Sequence, residues 1–357
     1  MSAFNRIGYC FKACTLLSIL LGCSLVINGI QLAALPLCVI SRKYYRYSMR
    51  FTQRLFGSLL ILITLFYAPV EIILTGDHAE LCSDSTVVIM ANHQIYTDWW
   101  YIWLVSWFRN SHGNLKIMLK ESLCYIPVFG WGMMCFEFIF MGRKWSKDQR
   151  TLTSNLTRAK KDKLPLWFLV FPEGTVITED TQLKSRAFAK KMDILDDPKH
   201  VLIPRSTGLR NSLELLRPDV EYLYDFTIAY SGLEVDDCPF DQYPASRVFF
   251  EGKGPKQVHI HIDRFKVSSI PGMSKDQTTS ERKDAATSSQ SIQHVGKPRM
   301  HGDDSNSDFS LWLRNRFMEK DNMMKQFHVN GKFPETTSKG VGGYKAHIVS
   351  YENWCET

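Results

Sequence analysis

The sequence predicts an α/β domain, a sheet wrapped by helices, behind N-terminal membrane helices. Three observations predict it. Buried-strand runs that end in polar turns alternate with helical stretches after residue 80. An uncharged run of 27 residues, 14–40, precedes them, and about 20 apolar residues suffice to cross a bilayer. The 357-residue chain is 45% apolar and 13% aromatic, enough to bury a large core.

Composition also excludes several classes. A mean hydropathy of -0.16 rules out a many-span transporter. The net charge of +7 is small and evenly spread, so it argues against a nucleic-acid partner and suits an anionic membrane surface or a phosphate-bearing substrate. Nine cysteines without a CxxC pair suggest neither a disulfide framework nor a zinc site.

The run 14–40 exceeds the roughly 7 to 15 apolar residues of a signal peptide, and the cations Arg42, Lys43, Arg46, Arg50 and Arg54 follow it as a stop-transfer flank would. It is expected to remain as a membrane helix. A second apolar segment, 56–74, contains Pro69 and Glu71 and fits a re-entrant or interfacial helix as well as a crossing one. The basic cluster outnumbers Arg6 and Lys12, which places the intervening loop in the cytosol.

The soluble part begins with the strand 86–91 (TVVIMA), the turn NHQIYTD and an aromatic helix, WWYIWLVSWF. Residues 164–171 (LPLWFLVF) form a second strand running into PEGT. Residues 225–230 and 258–265 form two more, the last alternating Val258, Ile260 and Ile262 against His259, His261 and Asp263 as a strand with one wet face would. Ser146 with Gln149 suggests a capping box for a helix carrying Leu152 and Leu156, and 205–216 reads as another helix. The 41 residues 268–308 hold 12 Ser or Thr and no aromatic residue, the composition of a disordered insert. Order is expected to resume in a helix with Phe309, Leu313, Phe317, Met324 and Phe327 near one face. The expected organisation is a membrane anchor over 1–80, a catalytic domain over 81–267, the insert over 268–308 and a C-terminal helix and tail over 309–357.

Four constellations carry candidate chemistry. His93 and Asp98 form an H-x4-D pair directly after a strand. On one continuous helix five residues turn about 500°, so the two side chains would diverge by about 140°. They meet only if His93 lies in the loop and Asp98 in the first helical turn, where the carboxylate can orient the imidazole as a general base. The alternative is a helix cap beside a surface histidine. Phe171-Pro172-Glu173-Gly174-Thr175 follows another strand and presents a carboxylate on a fixed turn, or is an ordinary turn. Lys120 and Arg143 bound a nearly uncharged stretch that suits either an amphiphile with a phosphate head or a buried helix and strand with snorkelling ends. Pro204 lies where an apolar strand end meets a helix start, which shapes a wall or is merely structural. His259 and His261 form an H-x-H with no third ligand nearby, so structural histidines are expected and no metal.

In this order, H-x4-D within NHQIYTDWW, FIFMGR, FPEGT and IPRSTG resemble the four blocks of the glycerolipid acyltransferase family, which includes the 1-acylglycerol-3-phosphate acyltransferases. The match covers roughly residues 85–265. The strings FPEGTVITEDTQLKSRAFAKK and HVLIPRSTGL look most like the lysocardiolipin acyltransferase branch, and NHQIYTDWWYIWLVS with IPVFGWGM looks like its fungal relatives that remodel phosphatidylinositol. The resemblance implies a central mixed sheet wrapped by helices. It implies His93 as general base and Asp98 as its partner, with Arg143, Glu173, Gly174 and Thr175 on the acceptor glycerophosphate. Lys120 would be a further phosphate contact, and Pro204 would belong to the acyl-CoA side. The second block departs from the G-x-I-F-I-D-R pattern, with Glu137 for the Gly and Gly142 for the Asp.

The expected activity is transfer of an acyl chain from acyl-CoA, as co-substrate, to the free hydroxyl of a lysophospholipid, with no acyl-enzyme and no cofactor. A thioesterase or phospholipase using the same pair is one alternative, and a silent membrane scaffold is another. The expected location is a membrane, that of the endoplasmic reticulum, with the catalytic domain facing the cytosol.

Overall fold

The computed structural model describes residues 3–81, 85–142, 144–273, 307–333 and 347–349. Helix α1 (Ala3–Ala33) is followed by α2 (Arg42–Tyr67), and a single sheet then gathers strands from almost the whole chain. These are β1 (Glu71–Gly76), β2 (Thr86–Ala91), β3 (Leu115–Lys120), β4 (Ile139–Met141), β5 (Leu166–Val170), β6 (Tyr222–Tyr230), β7 (Gln257–Lys266) and β8 (His347–Val349). Their order is β4-β3-β5-β2-β6-β7-β1-β8. From β4 through β6 all neighbours run parallel, while β7 pairs antiparallel with β6 and parallel with β1, so the sheet is mixed. The helices that wrap it are α3 (Asp98–Phe108), α4 (Phe129–Cys135), α5 (Trp145–Asp162), α6 (Glu179–Lys191), α7 (Ser206–Leu216) and α8 (Asp308–Asn330).

Strand alternation sorts the core into two layers. Val87, Ile89 and Ala91 of β2 face one side with Trp167 and Leu169 of β5, against α1, α2 and α3. Val88, Met90, Phe168 and Val170 face the other, against α5, α7 and α8. Both faces are covered, which is why the central strands read as unbroken apolar runs.

The second apolar segment is not one element. Its first part completes α2, which stops at Tyr67, and Ile72, Ile73 and Leu74 belong to β1, hydrogen-bonded beside β7. Pro69, which has no N–H to donate, falls in the break between them. The sheet therefore starts at residue 71, inside the stretch assigned to the anchor. The basic cluster is likewise no free flank. Arg42 pairs with Asp162 at 2.9 Å, Arg46 pairs with Asp162 and Glu137, and Arg50 donates to Asn114 Oδ1 and to the Pro165 carbonyl. At its other end α2 accepts a hydrogen bond from Trp100 Nε1 on Thr64 Oγ1 at 2.8 Å. In its middle, Gly57 lets α2 approach the aromatic helix, since a Cβ there would lie 2.8 Å from Trp103 Nε1.

Three further expectations are corrected. No side chain caps α5 at its N-terminus: the N-cap position is Lys144, and Asp148 in the first turn accepts from Gly142 N–H at 2.7 Å. The insert is shorter at both ends, because Ile270 and Met273 are buried in the core and Asp308 opens α8; residues 274–306 lie outside the described residues. Finally, the face of β7 that carries His259 and His261 is not wet, although Asp263 further along it is partly exposed. Helix α8 buries Phe309, Leu313, Phe317, Met324 and Phe327 and covers His259 and His261, which are 4% and 1% exposed.

Buried histidines are expected to make the fold acid-labile. Burial lowers His259 from 6.5 to about 4, and burial with the nearby Arg54 lowers His112 to about 4. A group depressed in the folded state takes up its proton first in the unfolded chain, so stability falls as pH drops from 6.5 towards 4. The denaturation midpoint of the intact protein is expected to be lower at pH 5 than at pH 7, and His259→Leu should reduce the difference. An unchanged midpoint would contradict this reading.

Candidate active site

Strands β2, β3, β4 and β5 run parallel, so the residues that follow them gather along one edge of the sheet, where open α/β sheets bind ligands. His93 follows β2, the Pro172–Thr175 turn follows β5, and Lys120 ends β3. The strand end under His93 is fixed by Asn92, whose buried amide donates to the Ile228 carbonyl at 3.0 Å and accepts from Ile228 N–H at 2.8 Å. This side chain extends the β2–β6 ladder by one rung and lets the backbone leave the sheet at a defined angle.

The H-x4-D geometry is the one in which the two side chains can meet. His93 stands in the loop, Asp98 is the first residue of α3, and His93 Nδ1 lies 2.7 Å from Asp98 Oδ2. Asp98 is fully buried and is the centre of a cradle. Oδ2 also accepts from Gln94 N–H at 2.6 Å and Ile95 N–H at 3.1 Å, and Oδ1 accepts from the Tyr230 hydroxyl. Four converging donors suit an acceptor-only carboxylate. Burial, with the charge of Asp98, pushes the Tyr230 phenol well above its usual value, so it remains a donor. The imidazole stacks on Phe171 with centroids 4.2 Å apart and is 16% exposed. With Nδ1 committed to Asp98, Nε2 is the nitrogen left to exchange a proton with an incoming hydroxyl.

The other expected site residues are placed differently. Glu173 is not turned to the solvent: it is 4% exposed and accepts from His93 N–H at 3.3 Å. Gly174 is exposed at φ +71°, and a Cβ there would meet nothing within 4 Å, so the turn needs glycine for its backbone rather than for space. Thr175 is half-buried beside it. Pro204 is buried, and the next residue, Arg205, donates its N–H to the Pro172 carbonyl at 2.8 Å, joining the third and fourth motifs. Lys120 is exposed. Arg143 lies outside the described residues.

The departures in the second motif have local causes. Glu137 adopts φ 57°, the left-handed region that favours glycine, while its carboxylate pairs with Arg46 and Lys116 and so ties α2 to β3. At Gly142 a Cβ would lie 2.6 Å from Glu121 Oε2, so an aspartate there would require the Glu121 carboxylate to move. Among the described residues, no group of three or more His, Cys, Asp or Glu is placed to hold a metal ion. His261 bonds Thr75 Oγ1 at 2.8 Å, and His259 packs edge-on against Phe327.

Sequence reasoning missed Tyr230, and it named Asn92, Gln94 and Phe171 without the roles they have here. Tyr230 stands at a strand end, a position that was visible, but its pairing with Asp98 spans 132 residues.

The family model described as Acyltransferase matches residues 74–230, the stretch that contains this whole edge, and the model described as Acyltransferase C-terminus matches 302–354. An uncharacterised acyltransferase of Schizosaccharomyces pombe is 31% identical over 324 residues, covering 87% of this chain and 83% of that protein. The chain belongs to the acyltransferase family. Among this acyltransferase's other relatives, the 2-acyl-1-lysophosphatidylinositol acyltransferase of Saccharomyces cerevisiae is 33% identical, over 74% of this chain and 68% of that protein. Lysocardiolipin acyltransferase 1 of Gallus gallus is 30% identical, over 86% of this chain and 70% of that protein. The sheet edge of the acyltransferase thus lies within the family match, and α8 lies within the C-terminal one.

Proposed function

We propose that this acyltransferase moves a fatty acyl chain from acyl-CoA to the free hydroxyl of a lysophospholipid, with His93 as general base. The observation that carries this is the 2.7 Å His93–Asp98 contact, with Asp98 held by three further donors. Nε2 takes the hydroxyl proton as the oxygen attacks the thioester carbonyl, and Asp98 stabilises the imidazolium that forms. The tetrahedral adduct then expels the CoA thiolate, which recovers the proton from His93. Lys120 and Arg143 would meet the acceptor phosphate, Gly174 and Thr175 would offer it backbone and hydroxyl, and the Pro204 turn would border the acyl-CoA. The names of the yeast and chicken relatives support an inositol- or cardiolipin-type lysophospholipid as acceptor. The test supplies labelled acyl-CoA and lysophospholipids of different head groups to the full chain. Labelled phospholipid from one head group is expected, whereas free labelled fatty acid alone would mean hydrolysis and overturn the reading.

The location we propose is the endoplasmic reticulum membrane, with α1 as anchor and the catalytic domain in the cytosol. Helix α1 has 31 residues and leaves Leu17, Leu25, Val26 and Leu32 exposed as apolar surface. In this reading helix α2, although long and apolar enough to cross, does not do so. What supports this is that its first turns bind Asp162, Asn114 and Pro165 and its last turn runs directly into the β1 side of the same domain. Asn155 is a poor glycosylation reporter, because its amide donates to the Thr151 carbonyl inside α5. A sequon engineered at Ser288 is the better one. It is expected to remain unglycosylated in microsomes, and an endoglycosidase-sensitive mass shift would place the domain in the lumen.

A further inference from the structure

Glu173 stands beside the dyad yet is turned away from solvent. Its Oε1 accepts the backbone N–H of His93, and its Oε2 is buried without a well-formed hydrogen bond among the described residues. The Pro172–Thr175 turn and the His93 loop are joined at this one point by side chain to backbone, and the Phe171 ring stacked on the imidazole leads into the same turn. A second tie, Ile177 N–H to the His93 carbonyl at 3.0 Å, clamps the other side of the same residue.

We propose that Glu173 is a positioning residue for His93, fixing through the His93 amide the backbone from which the imidazole hangs, rather than a carboxylate that ligates the acceptor. The proposal deepens the general-base reading of His93 and rests on it.

Charge supports the same assignment. An ionised carboxylate buried with one oxygen poorly paired is costly, and such a group neutralises instead. It would also repel the phosphate of the acceptor. The charged and titratable groups facing Glu173 are Asp98 from α3, His93 from its loop and Lys320 from α8. Lys320 does not serve as its counterion, because its ammonium is engaged by Asp225 Oδ1 at 2.5 Å, the Phe226 carbonyl at 2.5 Å and Thr227 Oγ1 at 3.2 Å. Burial above all, then the charge of Asp98, holds the Glu173 carboxyl well above the usual carboxylate range, against the opposing pull of the His93 backbone amide, the Lys320 charge and the Leu202 backbone amide. A neutral carboxyl accepts from His93 N–H as a glutamine amide oxygen would, and a shorter side chain cannot reach.

The test compares Glu173→Gln, Glu173→Asp and Glu173→Ala in the full chain. Glu173→Gln is expected to keep kcat within about threefold of wild type. Glu173→Asp and Glu173→Ala should lose about tenfold or more in kcat with little change in KM for the lysophospholipid, because small misplacement of a catalytic group is paid in rate. The reverse order, with Glu173→Asp active and Glu173→Gln impaired through a raised KM, would show a charged acceptor ligand and overturn the proposal. Hydrogen exchange at the His93 amide supplies a readout that needs no turnover. Protection should persist in Glu173→Gln and fall in Glu173→Ala, and equal protection in both would overturn the proposal. If wild type itself transfers no acyl group, the general-base reading fails while the exchange result still decides what Glu173 does.

Discussion

Replacing His93 with alanine is expected to lower acyl transfer by about 10²- to 10⁴-fold, the usual contribution of a general base, without unfolding the protein. The side chain is mostly buried, 16% exposed, but it stands in the loop beyond β2 and stacks on Phe171 at the sheet edge, so its removal is expected to leave the sheet intact. Asp98 is different. Its carboxylate joins the His93 ring, two backbone amides of the loop and Tyr230, so Asp98→Ala should abolish transfer by releasing the loop as well as the imidazole. Asp98→Asn keeps the shape but removes the charge that stabilises the imidazolium, so it should damage kcat more than acceptor binding. Steady-state rates with one lysophospholipid, alongside a thermal melt, check both. A His93→Ala protein that keeps more than about a tenth of wild-type turnover would remove His93 from the role of base.

The second large effect is on stability. Helix α8 lowers Lys320 into the sheet, where it is 0% exposed and pairs at 2.5 Å with Asp225, itself 0% exposed. Arg316 adds contacts to Asp225 at 3.1 Å and to Asp263 at 2.6 Å. Burial drives the Lys320 ammonium below its usual value, opposed chiefly by Asp225. Asp225→Ala leaves a buried cation without its partner, and such changes cost about 3–5 kcal/mol. The double variant Asp225→Leu with Lys320→Met removes both charges and should recover most of that loss, since apolar replacement of a buried pair is often neutral. The melting temperatures of the intact chain in detergent test this. A double variant as unstable as the single would show that the ion pair is not what α8 contributes here.

The fold was legible wherever burial was uniform. The runs TVVIMA and LWFLV have helices on both faces and so carry almost no polar residue, and the aromatic helix after His93 stands out for the same reason. Strands with mixed composition escaped notice. β3 (LKIMLK) contains Lys116, which is buried against Glu137, and β1 (EIILTG) was hidden in an apolar stretch that reads as membrane. Local pattern cannot separate a strand that continues an apolar helix from the helix itself, because both are apolar and only the hydrogen-bond partner differs. His259 and His261 read as a wet face because α8, which covers them, begins more than forty residues later.

At the candidate site the sequence by itself determined the local pieces. H-x4-D after a strand, a Pro-Glu-Gly turn after another and cations near a third fixed which residues stand at the sheet edge, since polar residues at the ends of buried strands have nowhere else to go. Tertiary structure alone decided what those residues face. Whether Arg46 flanks a membrane or pairs with Asp162, whether Glu173 meets a substrate or the His93 amide, and whether Asp98 is held by Tyr230 all depend on contacts between segments 80 to 132 residues apart. The periodicity of a sequence reports burial along one element, whereas the partner of a buried polar group is set by which other element the packing brings against it.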